Sequence, residues 1–268
     1  MKKSLRLTES AVMLALGFIL SLLKVVDMPY GGSVTALSML PVIIIAFRYK
    51  TVWGLFVGFV ASILQMMMGV ENFTYAGISI GAAIAVIMLD YVVAFTAMGL
   101  GGVFRGAIKD QGIALASGAL VACVIRFICH VISGCTVWAG VSIPTSDGLL
   151  YSLAYNCTYM IPETLLTVVG AYFAGKVFTI TAEEVKRVPL ETGGLKNVLS
   201  AIPTVLGVVI SFAFICGMMQ SEDGVFDITA LADKGIGDWM GVIIMLIIGI
   251  AATIIIRTFA FKDKKETA

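Results

Sequence analysis

Charge is scarce in this sequence: Asp, Glu, Lys and Arg make up 13% of its 268 residues, and His130 is the single histidine. With 59% hydrophobic residues and a mean hydropathy of +1.02, the composition falls outside that of soluble domains. The formal net charge of +1 gives no sign of a nucleic-acid partner. The five cysteines (Cys123, Cys129, Cys135, Cys157 and Cys216) lack metal-ligand spacing and read as small apolar packing residues. A nucleophile–base pair, an HExxH sequence and paired catalytic carboxylates at a useful spacing are all missing, so no enzymatic activity is expected. The run Gly170 to Lys176 imitates a phosphate-binding loop, but Val177 stands where a Ser or Thr must ligate magnesium. ATP hydrolysis by this chain is therefore not expected. The apolar stretch from about Ala11 lacks a small-residue cleavage site and reads as a first membrane span.

What the sequence has instead is repeated apolar runs of roughly 18 or more residues, the mark of an all-α polytopic membrane protein. Helices are expected at about 8–26, 35–47, 51–70, 76–103, 112–134, 151–178, 198–219 and 239–257, the second of them short and carrying Pro41. Of the 18 basic residues, all but Lys24, Arg126 and Lys234 fall at the same ends of these spans. The positive-inside rule makes that face cytoplasmic, and eight spans place both termini there in a multi-pass cell-membrane protein. Asp27, Glu71, Asp147 and an acidic loop from Glu222 to Asp233 lie on the other side. Residues 181–197, with Pro189 and Gly193-Gly194, read as a cytoplasmic linker. The expected organisation is a domain over 1–180, the linker, and an additional transmembrane hairpin with a basic tail over 198–268.

Polar groups inside the apolar runs need a cavity, a partner or the interface. Asp90 and Tyr91 sit within the fourth helix. A carboxylate there suits a counter-ion for a cationic ligand, a coupling ion, or a buried pair with Arg126. Arg126 and His130 are four apart on the fifth helix and share a face. Arg126 is open to three roles: ligand contact, partner of Asp90 or Glu163, or snorkelling to a headgroup. His130 offers one donor and one acceptor when neutral. Trp138 reads as an interfacial anchor or as a ring that stacks on a ligand. On the sixth helix Ser152, Asn156, Tyr159 and Glu163 form one polar stripe, flanked by Tyr151 and Tyr155, which calls for a water-filled or ligand-filled cavity. Gly31-Gly32 in the first loop permits close backbone approach. Small residues four apart (Ala11/Ala15, Gly54/Gly58, Gly77/Gly81) permit close helix contact.

The segments MPYGGSV (28–34), AFRYK (46–50), LDYVVAFTAMGLGG (89–102), RFICHVISG (126–134) and YSLAYNCTYMIPE (151–163) resemble the thiamine-specific substrate-binding components of energy-coupling factor transporters, the ThiT or YuaJ type. The resemblance covers about residues 5–180. It implies a six-helix component that captures thiamine from outside and associates with a transmembrane coupling subunit and two cytoplasmic ATPases. It further implies substrate-binding roles for Asp90, Tyr91, His130, Trp138, Tyr151 and Asn156, with Tyr30, Tyr75, Tyr159 and Glu163 as further candidates. Ala11 and Ala15 match the small-residue pair that docks the coupling subunit. Thiamine is cargo in this reading, and no resident cofactor or metal is expected. A component for another vitamin or a thiamine precursor, and a self-sufficient ion-coupled carrier, are the alternatives. The first loop departs from members that carry a tryptophan where this chain has Gly32.

Overall fold

The computed structural model describes residues 3–28, 31–75, 79–140, 144–188, 192–219 and 228–260, with backbone alone at 70–75, 192–198, 228–229, 232 and 259–260. The chain divides into two compact units, Met1–Val188 and Pro189–Ala268. Along the first run α1 (Lys3–Leu22), a hairpin of β1 (Lys24–Asp27) and β2 (Ser33–Thr35), α2 (Leu40–Tyr49) and α3 (Thr51–Tyr75). After these come α4 (Ile80–Gly102), α5 (Gln111–Trp138), α6 (Ser146–Val177) and a short hairpin of β3 (Phe178–Ile180) and β4 (Val185–Arg187). That last hairpin takes up the start of the segment read as a linker.

The core forms around α2. This helix is apolar on every side and packs against α1, α3, α5, α6 and the end of α4, burying Val42, Ile43, Ile45 and Phe47. Pro41 in its first turn supplies a preset φ where no donor is needed, and the chain leaves the helix at Lys50 with φ 73°. Close packing at glycine holds the neighbours: a Cβ on Gly54 of α3 would strike Ala46 and come within 2.8 Å of the Gly99 carbonyl, and one on Gly58 within 2.8 Å of the Thr96 carbonyl. The Gly54/Gly58 pair thus serves internal packing. Gly81 faces open space, and Gly77 lies outside the described residues. Ala11 and Ala15 are exposed on α1.

One expectation needs correction. The first helix stops at Leu22 and the second begins at Leu40, because Lys24–Asp27 and Ser33–Thr35 pair as antiparallel strands. The β-branched residues Val25, Val26, Val34 and Thr35 suit a pleated ribbon, and Met28 N–H donates to the Gly32 carbonyl at 2.7 Å to close it. Gly31, at φ 95°, makes that turn possible. Eight helices lie near the expected places. Among the described residues six helices have the length and apolarity to cross a bilayer: α1, α3, α4, α5, and in the second unit α7 (Thr192–Met218) and α8 (Ile236–Ile255). A ten-residue helix such as α2 measures about 15 Å, half of a hydrocarbon core of roughly 30 Å. Helix α6 has 32 residues but carries the polar stripe.

The second unit is an antiparallel helical hairpin. Thr204 meets Thr253 at 2.7 Å between hydroxyls, Ser211 Oγ donates to the Val242 carbonyl at 3.0 Å, and Arg257 Nε donates to Ser200 Oγ at 2.9 Å. Gly207 lies against Gly249, bringing the backbones together.

Candidate functional site

Two helices depart from α winding where their polar groups face each other. Helix α4 widens into a π-helical stretch over Ile87–Val93, which carries Asp90 and Tyr91, and α5 does so over Gly134–Trp138. Single π turns of this kind recur at functional sites. Because hydrogen bonds in such a turn run from i to i+5, residues five apart return to a common face, and Trp138 comes round to join Ser133 and His130. Trp138 Nε1–H donates to Asp90 Oδ2 at 3.0 Å, and Ser133 Oγ donates to the same oxygen at 2.6 Å. His130 Nδ1 lies 2.8 Å from Oδ1.

The histidine tautomer follows from its other neighbour. Arg126 Nε–H points at His130 Nε2 at 3.2 Å. A guanidinium only donates, so Nε2 accepts and the proton sits on Nδ1, where it is shared with Asp90. Arg126 further contacts Met39 Sδ at 3.0 Å and lies 4.3 Å above the Phe95 ring. Among the described residues it forms no ion pair with Asp90 or Glu163, which corrects the pairing left open above. The acceptors of Asp90 are engaged by His130, Ser133 and Trp138, and those of Glu163 by Thr35.

Among the described residues the stripe on α6, read from the sequence as calling for a cavity, is met by protein partners. Ser152 Oγ donates to the Val131 carbonyl at 2.9 Å across to α5, and Asn156 Nδ2 donates to the Ser152 carbonyl at 2.8 Å. Tyr159 donates to Asn156 Oδ1 at 2.6 Å. Asn156 is 4% exposed and Glu163 1%. Close approach of α5 at Gly134, whose Cβ would strike Ser152, brings protein partners to the stripe. The rings of Tyr159, His130 and Tyr155 make edge contacts, 6.2 Å from Tyr159 to His130 and 5.8 Å to Tyr155. Over them lies the first hairpin: Gly32 N–H donates to the Tyr155 hydroxyl at 3.2 Å, and a Cβ on Gly32 would sit 2.7 Å from the Tyr159 ring.

Tyr91 stacks on Phe95 with ring centroids 6.3 Å apart and touches Gly69 of α3. Tyr151 lies on the first turns of α6 and is 43% exposed. Tyr30 and the side chain of Tyr75 fall outside the described residues. Asp90, His130 and Trp138 thus come together, Tyr91 follows Asp90 in the chain and packs on Phe95 and Gly69, Asn156 and Tyr159 adjoin His130, and Glu163 is tied to β2. The reading of the sequence missed Ser133, one turn beyond His130. A small crevice among Leu14, Phe18, Val42, Leu64 and Gln65 reaches Phe95, the ring on which Tyr91 stacks. Among the described residues no group of His, Cys, Asp and Glu is arranged to hold a metal. A carboxylate with oriented donors beside aromatic faces can receive a small ligand that is cationic or carries N–H donors.

Fold and cluster together define a multi-pass helical membrane protein with a charged, aromatic-flanked group inside its first unit. Residues 7–181 match the family model of the thiamine transporter proteins, Thia_YuaJ, and the chain belongs to that family. The thiamine transporter ThiT of Bacillus subtilis (strain 168) is 31% identical over 176 residues, spanning 62% of this chain and 87% of that protein. The solved structure of ThiT from Listeria monocytogenes aligns with a TM-score of 0.52 at 19% identity, over 66% of this chain and 96% of that one. The latter likeness concerns the fold. The family match ends before α7 and α8.

Proposed function

We propose that this chain is the substrate-binding component of an energy-coupling factor transporter and captures extracellular thiamine at the Asp90 cluster. The observation that carries the reading is the Asp90 carboxylate, held by three donors in a span of a thiamine transporter family member. Thiamine joins a permanently cationic thiazolium to an aminopyrimidine. The first suits a carboxylate and the faces of Tyr91, Trp138 and Tyr151, and the second suits groups that both donate and accept, such as His130 and Asn156. Tyr30, Tyr75, Tyr159 and Glu163 complete the wider set. Ala11 and Ala15, exposed on α1, are suited to dock a transmembrane coupling subunit. Two partner ATPases supply the energy. Both termini are cytoplasmic on the distribution of Lys and Arg, and α7–α8 is an appended hairpin after a cytoplasmic linker.

Equilibrium binding to the purified chain without partners, read by quenching of its 3 tryptophans, tests the reading. Saturable thiamine binding that Asp90→Asn strongly weakens is expected; no thiamine binding beside tight binding of another vitamin overturns it. Bulky residues at Ala11 and Ala15 abolish uptake and spare binding, whereas an equal fall in binding makes the pair internal packing. Uptake into proteoliposomes by this chain alone, driven by an ion gradient, decides for an ion-coupled carrier.

A further inference from the structure

We infer that Ser133 is a positioning residue of the substrate site, fixing the carboxylate of Asp90 without touching the ligand; the inference rests on the reading of Asp90 as a binding group. Ser133 is 0% exposed and is not among the groups proposed to meet the ligand, because its one hydroxyl proton is committed to Asp90. That hydroxyl donates to Asp90 Oδ2 at 2.6 Å. Its direction is informative. A serine inside an apolar helix ordinarily returns its proton to a carbonyl of its own helix. Ser10, Ser21 and Ser62 on α1 and α3 do so, to Arg6, Phe18 and Phe59. Ser152 and Ser211 cross to backbone carbonyls of a neighbouring helix, whereas Ser133 crosses from α5 to a side chain, the carboxylate of Asp90 on α4.

The three donors on Asp90 are not equivalent. Trp138 is 37% exposed at the end of its helix, and His130 carries a second ring nitrogen and lies against Tyr159. Both belong to the groups proposed to meet thiamine, so their bonds to Asp90 can be exchanged for bonds to the ligand. Ser133 alone has no such exchange to make. It holds one carboxylate oxygen in the empty and the filled site, so the rotamer of Asp90 does not depend on the ligand. Preset geometry of this kind lowers the ordering cost of binding.

The test pairs thiamine binding with the spectrum of the single histidine. Ser133→Ala lowers thiamine affinity about tenfold, the scale of one hydrogen bond to a charged group. In an Asp90→Ala background the same change alters affinity less than about twofold, because the two residues act as one unit. Isotopic labelling of histidine reports the His130 ring alone, and Ser133→Ala shifts its Nδ1–H resonance as the carboxylate loosens. Unchanged affinity in Ser133→Ala overturns the inference. So does a loss that persists in full without Asp90, which would make Ser133 a packing residue. If the wild-type chain binds no thiamine while the His130 resonance still responds to Ser133→Ala, the ligand assignment fails and the positioning of Asp90 stands.

Discussion

The carboxylate of Glu163 accepts both the backbone N–H and the hydroxyl of Thr35, each at 2.6 Å, tying the first hairpin to α6 across 128 residues of sequence. Glu163 is fully enclosed, so its removal strands two donors as well as deleting two bonds. Glu163→Ala is expected to cost about 3 kcal/mol, read as a clear fall in the thermal unfolding midpoint of the purified protein. Glu163→Gln keeps a carbonyl that accepts one of the bonds and loses less. Equal losses from the two variants would assign the effect to packing and not to the acceptor.

Arg126 and His130 give a prediction about recognition. Arg126→Gln removes the Nε–H that holds His130 Nε2 as an acceptor, and frees the ring to take the other tautomer, which faces Asp90 with an unprotonated nitrogen. Thiamine affinity falls about tenfold, the scale of one charge-assisted bond. Arg126→Lys does not restore it, because an ammonium lacks the planar fork that spans His130, Met39 and the face of Phe95. Titrations on the two variants check this; full affinity in the lysine variant would show that charge alone suffices.

Asp90, His130 and Trp138 were legible in the sequence because a charge or an imidazole in hydrocarbon demands an explanation. Ser133 was not, since serine in an apolar helix normally bonds its own backbone and carries no signal. The stripe from Ser152 to Glu163 shows where the limit lies: spacing gives the face of a helix, and says nothing of what stands opposite. A cavity was expected there, and α5 and Thr35 fill the place. The first hairpin was hidden for another reason. Val25, Val26 and Val34 extend the apolar run of α1, and periodicity cannot separate a short strand from a helix end. The π turns depend on contacts between helices and leave no local pattern. By contrast, the resemblance over about 5–180 and the family match over 7–181 nearly coincide, because the segments that carry it are long and ordered.

Helix packing at Gly54 is open to a direct test. Gly54→Val places atoms where Ala46 and the Gly99 carbonyl already stand, and backbone on both sides leaves little to yield. Overpacking of this type costs about 1–3 kcal/mol and forces α3 away from α2 and α4. Gly81→Ala, where nothing lies within 4 Å, is tolerated and gains up to about 1 kcal/mol of helix propensity. Folded yield and the unfolding midpoint separate the two; equal behaviour would mean that the close contact at Gly54 relaxes freely.

At the other end of α5, Asp110 caps the helix by accepting from Ile113 N–H at 3.0 Å and pairs with Lys176 near the end of α6. The hydrogen bond from Lys176, then that from Ile113, holds the carboxyl below its ordinary range. Protonation is therefore harder in the folded protein than in the unfolded chain. The stability that the carboxylate adds is present above the unfolded value of about 3.9 and is lost as pH falls through the lower folded value. Both side chains are about one-third exposed, so solvent screens the pair and the effect is small. Asp110→Asn keeps an acceptor for the cap and removes the charge. The variant should melt slightly below the wild type at neutral pH, with the gap closing as the pH is taken below about 3.9. A gap that persists unchanged into acid would place the loss in the geometry of the cap and not in the pair with Lys176.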